Sequence, residues 1–201
     1  VLAVFMTFAV LTGCGGDDSH VPDTVSKTVN VAALNGPTGM GMVQLMDMTD
    51  KYAVETYQSP TDITAKLVKG EVDVAALPSN MAAVLYNKTE GQVTAISPIA
   101  LGVLHILGNN IQVAEVSQLK GSTVVASGQG GTPEYVLQKV LEDAGLKLYE
   151  DVQVEWLANH SEVNTRLLSE EGTIAMIPEP FVSTALAAGK EGVAEVFDMN
   201  T

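Results

Sequence analysis

Two stretches of the chain lying 100 positions apart (54 and 154) spell the same order of structural signals, and no gap is needed to align them. Val54-Glu55 matches Val154-Glu155, Ser59 matches Asn159, and Thr61-Asp62-Ile63 matches Ser161-Glu162-Val163. Lys66-Leu67 then matches Arg166-Leu167, Val74-Ala75 matches Ile174-Ala175, and Leu77-Pro78 matches Ile177-Pro178. Each copy runs from a strand through a helix cap with an acid three positions later, an amphipathic helix and a buried strand, to a proline. β-α-β units resemble one another in general, which is one reading of the match. The other is two similarly built α/β lobes instead of one continuous sheet.

The remaining segments extend this alternation. Residues 29–34 are a β-branched and apolar run without charge, as expected of a strand covered on both faces. Thr38 is placed to cap a helix carrying Met42, Val43, Leu45 and Met46 on one side. Residues 54–57 form a short strand. Ser59 caps the next helix, with Pro60 at its first position and Asp62 completing a capping box. That helix runs to Gly70, residues 72–77 form the following buried strand, and residues 78–80 open another helix. Further on, a strand over residues 123–126 leads into the loop Ser127-Gly128-Gln129-Gly130-Gly131. A helix capped by Thr132 with Pro133 at its first position follows. It is amphipathic through Val136, Leu137, Val140 and Leu141, and it stops at Gly145. The run at Gly102 to Leu107 marks the boundary, so residues 28–103 are expected to form lobe one and residues 104–201 lobe two.

Composition narrows the function classes. Hydrophobic residues make up 46% of the 201, enough for a core, while Asp+Glu 24 against Lys+Arg 10 gives a formal charge of -14. Such a surface repels phosphate backbones and argues against nucleic-acid binding. The single cysteine, Cys14, excludes an internal disulfide and a cysteine-based zinc site. Residues 1–13 are apolar and uncharged, too short to span a bilayer and fitted to the apolar region of a secretion signal. Leu11-Thr12-Gly13-Cys14 is similar to a bacterial lipobox, in which the cysteine is lipidated; the alternative is a buried element with an incidental thiol. Residues 1–14 are accordingly read as signal segment and lipobox, and residues 15–27 as a polar tether. The chain opens on Val1, so the basic region that precedes such a segment is expected upstream.

Together the chain resembles the type II periplasmic solute-binding proteins of ABC importers, in the branch serving taurine, alkanesulfonate, nitrate and thiamine-pyrimidine precursors. The residues that carry the resemblance are Leu11 to Cys14, Gly36-Pro37-Thr38-Gly39, Gly70-Glu71-Val72-Asp73-Val74-Ala75, Leu119-Lys120-Gly121, Gly128 to Pro133, and Ile177-Pro178-Glu179-Pro180. The resemblance implies an α/β, two-lobed type II periplasmic binding protein fold that closes on a small molecule like a hinged trap. In that fold the chain returns to complete lobe one, so this chain is expected to be C-terminally truncated and lobe one incomplete. It also implies ABC permease subunits as partners, a monomer, an extracytoplasmic location, and membrane attachment through the lipid on Cys14 alone. No catalytic residue, metal or cofactor is implied.

In open α/β sheets ligands gather where strands end and helices begin. Five such loops are readable, at residues 35–40, 78–81, 127–132, 159–161 and 178–181. They supply the candidate ligand-binding residues Pro37, Thr38, Gly39, Ser79, Asn80, Gly130, Gly131, Thr132, Asn159 and Glu179. Taken singly, each is better read as a helix cap; as a set facing one cleft, they are better read as a binding surface. The loops contain no Lys or Arg, which favours a neutral or amine-bearing ligand, such as a heteroaromatic, over a sulfonate. Glu179 either compensates a helix dipole or accepts a hydrogen bond from the ligand. The glycine loop lacks the Lys-Ser/Thr of a P-loop. His105 reads as a satisfied core histidine and His160 as a solvated residue at a helix start. With no metal-ligand spacing and no nucleophile elbow, an enzyme on the same fold is the alternative, as is a tethered ligand sensor.

Overall fold

The computed structural model describes residues 27–199, so the reading of Cys14 lies outside the described residues. The first sheet holds β1 (Val29–Leu34), β2 (Tyr52–Tyr57) and β3 (Val74–Ala76), all parallel, in the order β2-β1-β3. Its connections are α1 (Pro37–Met40), α2 (Val43–Met46) and α3 (Pro60–Val68), and α4 (Ser79–Lys88) follows β3. The second sheet contains β4 (Leu104–Asn109), β5 (Thr123–Ser127), β6 (Gln153–Leu157), β7 (Ile174–Pro178) and β8 (Val193–Asp198), ordered β6-β5-β7-β4-β8. A 3-10 turn at Val116–Leu119 precedes β5, and the helices are α5 (Thr132–Asp143), α6 (His160–Ser169) and α7 (Phe181–Ala187).

The repeat seen in sequence is a repeat in register. Val31 on central β1 faces Val54 on one side and Val74 on the other. Val124 on β5, also flanked on both sides, faces Val154 and Ile174. Positions 100 residues apart thus occupy equivalent places against equivalent interior strands. Val31 and Val124 are both buried, at 2% and 0% exposure, because a parallel strand flanked on both edges and covered on both faces has no solvent side.

Local chemistry explains the caps. Ser59 accepts from Thr61 N at 3.2 Å, but no return bond from Asp62 forms among the described residues. In the second copy Asn159 accepts from Glu162 N at 3.0 Å and Glu162 reaches back to Ala158 N at 3.3 Å, so a reciprocal cap forms there. Two expected caps are corrected. Thr38 lies inside α1 and its hydroxyl donates to Leu34 O at 2.8 Å; the cap is Gly36, at φ 101. The long helix expected after it breaks at Gly41-Met42 into α1 and α2, consistent with two glycines within three positions in a stretch too short to nucleate well. Thr132 is the first residue of α5, Gly131 the cap and Pro133 the second position.

Strands β4 and β8 were not anticipated as a pair. They run antiparallel to each other, and β4 is also antiparallel to β7. β8 is a half-exposed edge strand bearing Glu195 and Asp198, whose alternation is too short to stand out as a strand. His105 on β4 pairs with it, Nδ1 lying 2.8 Å from Glu195 Oε1.

The two sheets differ in the depth of their cores. The second is sandwiched between a cluster around Ile106, Leu137, Leu141 and Met176 and another around Leu107, Val163, Leu167 and Ile177. The first carries smaller clusters around Val31 and Ala33 on one face and Ala32 and Ile63 on the other. Val43, Val68 and Tyr86 nearby are more than half exposed. Each fully buried aliphatic side chain contributes about 1.5–3 kcal/mol, so the second sheet is the more stable unit. Native-state hydrogen exchange should show amides of β5 and β7 protected longest and those of β1 and β2 opening first; equal protection of β1 and β5 would contradict this ranking.

Candidate functional site

Four helices begin at one cavity of about 560 Å³: α1 at Pro37, α4 at Ser79, α5 at Thr132 and α6 at His160. Each follows the carboxyl end of a parallel strand (β1, β3, β5 and β6), so two different sheets contribute to the rim. The walls are mainly apolar, from sheet one, α4 and the segment at residues 93–100, with Val103, Leu104 and Pro178 closing the far side. Among the described residues no Lys, Arg, Asp or Glu lines it.

Four of the residues expected from sequence line this cavity: Pro37, Thr38, Ser79 and Thr132. The other six do not, and the structure shows what each is engaged with. Gly39 is buried, and a Cβ there would stand 2.9 Å from Leu34 O, so close backbone approach accounts for the glycine. Asn159 caps α6. Glu179 accepts from Ser183 N at 3.1 Å and thereby caps α7, while its own N–H bonds Val103 O at 3.0 Å. Gly130 and Gly131 belong to the glycine loop, where Gly131 N donates to Gly128 O at 3.0 Å.

Asn80 joins the two sheets. Its Nδ2 donates to Gly130 O at 2.9 Å, and beside it the Ser79 and Thr132 hydroxyls are 3.5 Å apart. The start of α4 is thus tied to the glycine loop of the second sheet. Asn80 Oδ1 is buried and unpaired. Glu134 holds that loop from behind, accepting from Gly130 N at 2.6 Å and from the Tyr149 hydroxyl, which in turn accepts from Trp156 Nε1 at 3.1 Å. Burial first, and then the bond to Glu134, raise the Tyr149 pKa. Sequence reading did not single out Glu134; its position at the third residue of α5, where a carboxylate can reach back to loop amides, was the available signal.

His160 is the larger correction. It is not solvated. Its ring lines the cavity, tilts against Phe181 at 5.6 Å between centroids, and sets Nδ1 2.6 Å from Ser127 Oγ. Burial disfavours the imidazolium and pushes its pKa from 6.5 down to about 4. Ser127 and Phe181 lie 33 and 21 positions away, so only the pairing of β6 with β5 and of β5 with β7 brings them to His160. Among the described residues no group of three or more His, Cys, Asp or Glu side chains is placed to hold a metal ion.

No protein-family profile matches the chain, and no curated protein matches it. Solved structures do. The fold is that of the two-lobed, type II periplasmic binding proteins. The chain resembles the periplasmic aliphatic sulphonate-binding protein SsuA of Escherichia coli (20% identity, TM-score 0.61, 85% of this chain and 56% of that one). It also resembles the periplasmic nitrate-binding protein NrtA of Synechocystis PCC 6803 (15% identity, TM-score 0.64, 84% and 50%). A third similar structure is the VFT2 domain of BvgS of Bordetella pertussis (18% identity, TM-score 0.60, 85% and 74%). The chain therefore spans about half the length of the sulphonate- and nitrate-binding proteins.

The His160 environment has a consequence for stability. Between pH 6.5 and about 4 the unfolded chain binds a proton that the folded chain does not. Stability contributed by the neutral buried ring is present above pH 6.5 and lost as pH falls, by about 3 kcal/mol in full. Thermal melts of wild type and His160→Gln from pH 7.5 to 4 should show the wild type losing more stability; parallel curves would contradict the buried, neutral imidazole.

Proposed function

We propose that this protein is the lipid-anchored, extracytoplasmic solute-binding component of an ABC importer, capturing a small organic molecule between two lobes. The lobes are taken as residues 28–103 and 104–201. The observation that carries the reading is the cavity of about 560 Å³ at the strand ends of both sheets, with Asn80 and Ser79 reaching across to Gly130 and Thr132. A volume of this size suits a drug-sized or smaller ligand, and concave apolar walls with a few polar groups are the usual composition of such sites. The similar solved structures include sulphonate- and nitrate-binding periplasmic proteins, which supports transport over catalysis. Anchoring rests on Leu11-Thr12-Gly13-Cys14 and a single acyl-bearing cysteine, a surface attachment and not an integral one. The partners are then the permease subunits, and the protein acts as a monomer without a cofactor.

The proposed contacts are those that line the cavity, Pro37, Thr38, Ser79 and Thr132, with Asn80, Gly130 and Gly131 holding the closed edge. Gly39, Asn159 and Glu179 support them through the backbone and the helix caps.

Thermal melting of the full-length protein against a panel of neutral heteroaromatics, amines, amino acids and sulfonates tests capture. A true ligand at a hundredfold its dissociation constant should raise Tm by about 5–10 °C. Glu179→Gln should leave that ligand's dissociation constant unchanged and lower stability by about 0.5 kcal/mol. A protein whose melting responds to none of these classes would contradict the reading.

A further inference from the structure

We infer that His160 is a specificity-determining hydrogen-bond donor, presenting Nε2–H to an uncharged ligand that carries an acceptor such as a carbonyl or an unprotonated ring nitrogen. The inference rests on the capture reading above and deepens it. It follows from where the single ring proton must sit. Ser127, at the end of β5, is 2% exposed, and its Oγ lies 2.6 Å from His160 Nδ1. Among the described residues that nitrogen is the hydroxyl's one side-chain or backbone partner. Were Nδ1 protonated, it would donate to Oγ and leave the buried Ser127 O–H with no acceptor, an arrangement folded proteins avoid. The arrangement without an orphan donor has Ser127 O–H donating to Nδ1, which places the ring proton on Nε2.

Among the described residues Nε2 has no partner, yet it is not sealed. The buried side-chain atoms left without a partner belong, among the described residues, to Asn80, Asn109 and Asn164. Nε2 is therefore reachable on a residue that lines the cavity. The ring itself is held by Ser127 on one edge and by Phe181 at 5.6 Å, so the donor points from a fixed base. The other polar side chains of the wall are Asn35, Thr38, Ser79, Ser97 and Thr132, all neutral. An ionised ligand would lose its hydration there and meet no countercharge among the described residues, which disfavours it strongly. A neutral acceptor meets a donor already in place.

Three probes of similar size separate the possibilities in calorimetric or ligand-observed NMR titrations of the full-length protein. These are 2-acetylnaphthalene, with a carbonyl acceptor; 2-ethylnaphthalene, without one; and naphthalene-2-sulfonate, an anion. Replacing His160 by Phe should lower the affinity ratio of acetyl to ethyl probe roughly three- to tenfold. The sulfonate should bind weakest to the wild type. Long-range ¹H–¹⁵N correlation spectra at pH 7 should show the Nε2–H tautomer, and Ser127→Ala, a milder change, should move it toward a mixture. An unchanged ratio, a sulfonate that binds tightest, or an Nδ1–H tautomer would each overturn the role of His160 and leave capture standing. Failure of the wild type to bind any of the three would overturn both.

Discussion

A parallel strand becomes stable once both its edges are hydrogen-bonded and both its faces are covered, and that demand shapes this molecule. β1 meets it with β2 and β3, and β5 meets it with β6 and β7. Parallel neighbours require crossovers, and each crossover returns through a helix, so the carboxyl ends of the parallel strands lead to helix starts on the same side of their sheet. The two sheets repeat this device with the same register about Val31 and Val124. The cavity exists because helix starts from both sheets open onto it. Without the second sheet, the start of α4 would face solvent where it now meets Gly130 and Thr132.

The electrostatics of the interior differ from those of the surface. The chain as a whole has a formal charge of -14, yet the cavity wall is neutral among the described residues. Its one titratable side chain near physiological range, His160, is kept uncharged by burial. Charge on the outside suits solubility. Neutrality inside shifts recognition onto shape and a few hydrogen bonds, which is the regime in which a single fixed donor discriminates between ligands of equal size.

Much of the fold was legible because its determinants are local. Residues 29–34 form a strand, Ser59 and Asn159 cap helices, Gly145 ends one, and the 100-residue repeat returns as register. The misplaced caps at Thr38 and Thr132 have a common cause. A glycine just upstream takes the non-helical cap conformation more easily, at φ 101 for Gly36 and as an extended residue at Gly131, so the helix starts earlier than its hydroxyl suggests. β8 escaped because an edge strand with two acids has no strong period. The site was half legible. Strand-end loops identify a rim, and Pro37, Thr38, Ser79 and Thr132 are on it. Which side chain on each loop faces inward depends on packing partners far away in sequence, and for that reason His160 read as solvated, while Glu179, read either as dipole compensation or as a ligand contact, has its carboxylate turned to Ser183 N.

The central claim is that the cleft between the two sheets captures a small organic molecule. Native mass spectrometry of the full-length protein, incubated with the low-molecular-weight fraction of its host's growth medium, tests it most directly. The account predicts a one-to-one noncovalent adduct whose fragmentation gives an uncharged, acceptor-bearing organic compound. A protein that stays at its bare mass through repeated incubation, or that carries only an inorganic ion, would contradict it.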